Sequence, residues 1–213
     1  SPEMSNLFKA VSEAGGDMAK VDASAFPVLN MLNTRYFIFP LQGGKTMPIQ
    51  NPYTLGNAWF VDKVQYVNNA NEEIESLHKV MPAKVAVVDK KFAEQVKLVT
   101  VSDSLRFVKL VAYEPNDLKY EVSSEKGGVV VFSEIYYPGW QAYIDGVEAP
   151  HGRADYILRA MNVPAGKHTV EFKFDPKSLH TTETIAFVAL GLLAMAVLLL
   201  LVLQGKALWG KKG

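Results

Sequence analysis

The chain of 213 residues contains no cysteine, which excludes disulfide staples, thiolate metal sites and thiol nucleophiles and leaves the redox compartment unmarked. It also lacks net charge, since 22 Lys and Arg balance 22 Asp and Glu. No field of one sign draws it toward nucleic acid, which is not expected as a partner. The opening SPEMSNLFKA has neither the basic stretch nor the apolar core of a signal peptide. His78, His151, His168 and His180 are scattered without metal-ligand spacing, so no zinc site and no cofactor is expected. Gly43, Gly44 and Lys45 lack the remaining spacing of a phosphate loop and read as a turn, and no G-x-S-x-G nucleophile elbow occurs.

What is present is ample apolar material for a folded chain, 49% hydrophobic against 21% charged. Part of it is one run, IAFVALGLLAMAVLLLLVL at 185–203, without a charge or a polar stripe. As a helix it would span about 28 Å, enough to cross a bilayer. A buried core helix would normally carry a polar edge, so a transmembrane helix over 184–204 is expected. The tail at 205–213 holds Lys206, Lys211 and Lys212 and no acid, with Trp209 as an interfacial anchor. The preceding flank mixes Lys173 and Lys177 with Glu171, Asp175 and Glu183. By the positive-inside tendency the tail is cytoplasmic and residues 1–180 are extracytoplasmic. Read as a complete protein, the chain would instead be tail-anchored with its folded region in the cytoplasm; read as the end of a polytopic protein, earlier spans would deliver that region outside.

The folded part reads as two textures. Residues 1–100 form an α+β region. Helices are expected over 4–14 and from Ser24 to about Leu32, then again from about Asn71, where an Asn caps and Glu72 and Glu73 suit the positive helix end. Strands are expected over 35–39, 58–67, 84–88 and 97–101, with a brief helical stretch at 92–95. Residues 101–180 carry seven short strand candidates at 106–113, 118–123, 129–136, 141–144, 147–150, 156–161 and 168–174, separated by turn residues. That spacing predicts an antiparallel β-sandwich, Ig-like or jelly-roll-like. Val170, Phe172 and Phe174 alternate with Thr169, Glu171 and Lys173, one face for a core and one for water. Asp145 and Gly146 read as a two-residue hairpin turn.

SEIYYPGWQAYIDG at 133–146, then RADYILRAMNVPAGKHTVEFKFDP at 153–176 and an apolar helix, resemble the C-terminal end of the bacterial YfhO membrane protein family. LNMLNTRYFI at 29–38 and NPYTLGNAWFV at 51–61 resemble that family's preceding extracytoplasmic segment, in the same order. The resemblance implies a polytopic protein of the bacterial inner membrane, similar to GT-C type glycosyltransferases that use a lipid-linked sugar to decorate the cell envelope. It implies as partners the bilayer, an upstream transmembrane domain of the same polypeptide, and an envelope glycan or lipid-linked sugar. In that class the catalytic acids usually lie in early extracytoplasmic loops, so no catalytic residue carries over to this chain, which alone is not expected to be an enzyme.

Two groups of residues are candidates for a glycan surface. Tyr136, Tyr137 and Trp140, beside the Pro138–Gly139 turn, could stack on a sugar ring while Asp145, Arg153, Asp155 and Tyr156 bind hydroxyls. The reading favoured over this is that Trp140 and at least one tyrosine fill a sandwich core and the turn is merely a turn. Asn51, Tyr53, Asn57 and Trp59 form the second group, which equally suits an ordered loop whose side chains cap their own backbone. Three functions are open at this point: a non-catalytic module that positions glycan or braces the membrane domain, a free-standing anchored carbohydrate- or protein-binding module, and a purely structural assembly domain.

Overall fold

The computed structural model describes residues 2–97 and 105–209; all but the first residue of the strand expected at 97–101, and the end of the basic tail, lie outside the described residues. The chain divides into two compact units, residues 1–173 and 174–213.

The first unit begins with helix α1 (Pro2–Glu13) and short helix α2 (Pro27–Met31), whose proline sits where a missing amide costs nothing. A hairpin of β1 (Tyr36–Pro40) and β2 (Thr46–Gln50) follows, with Gly43 and Gly44 in its loop. The sequence pattern misses β2 because Pro48 interrupts it, and proline is admitted only on an edge strand such as this one. Leu7, Val11, Phe26 and Phe37 close a small core beneath these elements.

Residues 58–67, read as one strand, are two: β3 (Ala58–Val61) and β4 (Lys63–Val67), which enter different sheets. The break falls at Asp62, where the Asp62 and Lys63 amides both donate to the Lys84 carbonyl and Asp62 pairs with Arg106. Helix α3 (Ala70–Leu77) is capped by Asn69, whose side chain accepts from the Glu72 amide at 3.0 Å. Glu72 returns the contact to the Asn68 amide at 2.9 Å. Strand β5 (Val85–Asp89) then pairs in parallel with β4, completing a βαβ unit.

The remainder is the sandwich, with β6 (Phe107–Glu114), β7 (Asp117–Ser124), β8 (Gly128–Ile135), β9 (Trp140–Ile144), β10 (Val147–Ala149), β11 (Gly152–Ala154), β12 (Leu158–Val163) and β13 (Gly166–Phe174). One sheet has the order β10-β9-β13-β7-β6 and the other β11-β12-β8-β3; β10 with β9, β13 with β7 and β7 with β6 pair antiparallel, as do all neighbours in the second sheet. Asp145 and Gly146 join β9 to β10 with φ of 52° and 81°, the backbone of a type I′ hairpin. The α+β region and the sandwich expected on either side of residue 100 thus share a sheet, because β3 supplies its fourth strand. Strand β11 was not expected; it is three residues long, and Gly152 lets it run against Phe92 and Val96, where a Cβ would stand 3.0–3.1 Å from their side chains.

The four-stranded sheet is buried on both faces. Phe132, Val130, Met161 and Val163 face Tyr120, Val122, Val170 and Phe172 of the five-stranded sheet. Val129, Val131, Leu158 and Ala160 face Val64, Leu77, Val87 and Val88 of the βαβ unit. That double burial explains the unbroken apolar run of β8, which alternation alone would not give.

In the second unit, α4 (Lys177–Trp209) contains a 22-residue stretch, Thr181–Val202, of mean hydropathy 3.1 and with none of it buried. An apolar helix of that length with no protein cover is long and apolar enough to cross a membrane. The stretch begins three residues before and ends two residues before the expected 184–204.

Candidate functional site

The first candidate group separates into three settings. Asp155 and Tyr156 form the turn between β11 and β12, both with left-handed backbone, φ 51° and 72°. A bulky residue at positive φ is strained unless its surroundings hold it there. They do. The Asp155 amide donates to the Val87 carbonyl at 2.7 Å and its Oδ1 accepts from the Val87 amide at 2.8 Å, so the turn satisfies the free edge of β5. The Tyr156 amide donates to Glu73 Oε1 at 2.9 Å, and Arg153 Nη2 donates to Glu73 Oε2 at 2.5 Å. Asp89 lies 3.9 Å from the same guanidinium.

Glu73 and Asp155 are each 0% exposed. Burial pushes the Asp155 carboxyl up to about 8, opposed by the Val87 amide and assisted by the nearby Glu73 charge. Burial also holds Glu73 above the ordinary carboxylate range, against the Tyr156 amide and Arg153, which favour its ionised form. Asp155 Oδ2 has no hydrogen-bond partner. Asp155 and Arg153 are therefore built into the junction between βαβ unit and sandwich, whereas Tyr156 stands 37% exposed beside it, its ring 5.6 Å from the Arg153 guanidinium.

The second setting is the aromatic segment after β8. Tyr136 is half-buried against Phe92 and His151, with centroids 5.2 and 5.7 Å away, and its amide donates to the Ile157 carbonyl. Tyr137 is 61% exposed. Trp140 is half-buried on the edge of the sandwich core, with the Arg159 guanidinium 3.9 Å above its ring. Arg159, only 2% exposed, donates from Nε to the Ile135 carbonyl at 3.0 Å and also lies over Phe172. His151, in the same neighbourhood, is pushed down to about 4 by burial and then by Arg159, so it is neutral near pH 7.

Asp145 belongs to a third place. It accepts from the Thr169 amide at 2.8 Å and lies 2.7 Å from His168 Nδ1, while His168 Nε2 is 3.1 Å from the Ala165 carbonyl. With an acceptor at each ring nitrogen, His168 is held above its usual pKa, first by Asp145 and then by that carbonyl.

In the second candidate group, Asn51 is buried and donates from Nδ2 to Asn30 Oδ1 and the Thr34 carbonyl, both at 2.9 Å, while its Oδ1 accepts from the Tyr53 amide at 3.0 Å. The Tyr53 hydroxyl donates to the Met18 carbonyl at 3.1 Å. The Asn57 carbonyl accepts from the Ser133 amide, and Trp59 Nε1 donates to the Pro82 carbonyl at 2.9 Å.

The structure thus brings Tyr136, Arg153, Asp155 and Tyr156 into one neighbourhood through Phe92 and Glu73, and leaves Asp145 with His168. Sequence reasoning overlooked Glu73, Phe92 and Arg159. An arginine inside the apolar run of β12 was a usable signal; Glu73 gave none, since beside Glu72 it reads as a second helix-start acid. Among the described residues no group of three or more His, Asp or Glu side chains is placed to hold a metal.

Neither the curated proteins nor the solved structures contain a match to this chain. Residues 90–186, from the turn after β5 through the sandwich and into α4, match the model of the family described as bacterial membrane protein YfhO.

Proposed function

We propose that residues 1–173 are an extracytoplasmic, non-catalytic module of a membrane-associated, glycosyltransferase-like protein, and that they hold a glycan or acceptor near chemistry performed elsewhere in the same polypeptide. The observation that carries this reading is the turn at Asp155 and Tyr156. Two consecutive left-handed residues, each fixed by a buried partner, are a costly way to connect two strands. What that cost achieves is a fixed tyrosine facing solvent beside a guanidinium, with exposed Tyr137 following the strand that pairs with β12. Rigid aromatic faces with a nearby hydrogen-bond donor suit the mixed C–H and hydroxyl surface of a sugar. On this reading α4 crosses the inner membrane, Lys206, Lys211 and Lys212 keep the tail cytoplasmic, and the bilayer and an upstream transmembrane domain are its partners.

The test is titration of the full chain in detergent micelles with soluble envelope glycans, followed by calorimetry, for the parent and for Tyr156→Ala and Tyr137→Ala. Both side chains are exposed, so both variants should stay folded by circular dichroism. Saturable binding weakened about tenfold in each is expected, the equivalent of roughly 1.4 kcal/mol per lost ring. Unchanged affinity in both variants, or no binding by the parent, would leave a structural brace as the better reading.

A further inference from the structure

A pocket of about 490 Å³ opens between the segment that runs from Asp22 into α2 and the end of α3, within the size range of small-molecule sites, roughly 300–1,000 Å³. One wall carries Asp22, Asn30 and Tyr53, and the other His78, Lys79 and Pro82. The first wall is rigid before any ligand arrives. Asn30 is buried and bonded to both Asn51 and the Ala23 carbonyl. The Tyr53 ring is held at its hydroxyl by Met18 and packs 6.0 Å from Phe26. Opposite, Pro82 is fixed by the Trp59 indole, which donates to its carbonyl at 2.9 Å.

The charges narrow the class of occupant. Asp22 is ionised, because hydrogen bonds from Ser24 hold its carboxyl below the ordinary range, and it would repel a phosphate or carboxylate. Lys79 on the facing wall would repel a cation. A neutral molecule that both donates and accepts hydrogen bonds finds a partner on each side. Apolar lining at Pro27, Tyr53 and Pro82 offers contact to the C–H face of a ring. We infer that this pocket is a saccharide subsite for one or two neutral sugar units, distinct from Tyr156 of the β11–β12 turn and from Tyr137. It rests on the glycan-holding reading above and extends it from a surface to an enclosed site. The wall formed by residues 78–83 lies outside the motifs that mark the family resemblance, whereas Asn30 and Tyr53 of the other wall lie within them.

The inference is tested on the full chain in micelles, with neutral di- and trisaccharides of glucose, galactose or N-acetylglucosamine as probes and calorimetry as readout. Lys79→Ala removes an exposed donor, and Asp22→Asn removes the charge while keeping the side-chain oxygen that caps Ser24, so neither threatens the fold. Ala83→Trp fills the pocket directly. At least one probe should bind saturably, about tenfold more weakly in Lys79→Ala and in Asp22→Asn and not at all in Ala83→Trp, with thermal midpoints of the first two unchanged. Saccharide binding that all three variants leave intact overturns the inference; if Tyr156→Ala abolishes that binding, the glycan-holding reading survives without this subsite. Binding lost in the pocket variants but untouched by Tyr156→Ala and Tyr137→Ala upholds the subsite and removes the exposed tyrosines from the site. No saturable binding by any probe overturns both, and a neutral peptide that binds here where sugars do not overturns the assigned class.

Discussion

The two faces of the four-stranded sheet are secured by different physics. Toward the five-stranded sheet the contact is aromatic: Phe132 lies 4.9 Å from Tyr120 and 4.8 Å from Phe172, both edge-to-face. Toward the βαβ unit the contact is aliphatic around its centre but is closed at the β11–β12 turn by buried polar groups, the Glu73–Arg153 ion pair and Asp155, joined across α3, β11 and β5. Apolar packing tolerates any pH and many substitutions of similar volume. A buried ion pair gives little net stability while intact and costs much when one partner is removed. The first interface makes the sandwich; the second fixes where one turn of it points.

The largest expected effects come from breaking each face in turn. Glu73→Ala leaves the half-buried Arg153 guanidinium with only the more distant Asp89 carboxylate and the Tyr156 amide without its acceptor, and should cost about 3 kcal/mol in chemical denaturation of the full chain. Phe132→Ala opens a cavity between the sheets and should cost a similar amount, about 3–5 kcal/mol. The comparison predicts that the Phe132→Ala loss is the same at about pH 5 and about pH 8, since nothing it removes titrates. A Glu73→Ala loss below about 1 kcal/mol would mean that the charges at the turn are not coupled to folding.

Asp155→Asn separates the faces by pH. The folded-state pKa of Asp155 is about 8, and an unfolded aspartate titrates near about 3.9. Below the unfolded value both states are protonated and the group costs nothing. As pH rises from there toward the folded value, the unfolded state gives up its proton while the folded state keeps it, so stability falls by up to about 1.4 kcal/mol per pH unit. Asn keeps the acceptor for the Val87 amide and cannot ionise. The urea midpoint of the parent should therefore decline between about pH 5 and about pH 8, and that of Asp155→Asn should decline less. Parallel slopes would place the pH dependence elsewhere.

How much of this was legible in the sequence follows the same division. The strands of the five-stranded sheet show in the alternation of Val170, Phe172 and their polar neighbours because that sheet buries one face. Apolar α4 needs only its own composition. The junction was not legible, for physical reasons. Glu73 and Arg153 are 80 positions apart, and nothing local marks either as buried. Asp155 looks like a polar turn residue, and its burial depends on β5 lying beside it. Residues 58–67 have strand composition throughout, so the change of sheet at Asp62 is decided by tertiary pairing with Lys84 and Arg106. The expected glycan surface drew on residue types alone; the fold gathers Tyr136, Arg153, Asp155 and Tyr156 around Phe92 and Glu73 and sets Asp145 apart with His168.

The smallest effect has the sharpest meaning for function. Tyr156 sits at φ 72°, where glycine is free of the strain that a side chain suffers. Tyr156→Gly should therefore stabilise the chain by about 1 kcal/mol, even after losing the ring's contact with Arg153. If the turn only connected β11 to β12, glycine would serve it better than tyrosine. A glycan-holding turn predicts opposite signs in one variant: a higher denaturation midpoint together with weaker glycan binding. A higher midpoint with binding untouched would make the tyrosine incidental. A lower midpoint would show that the ring's packing outweighs its backbone strain, and the strained turn would then need no functional explanation.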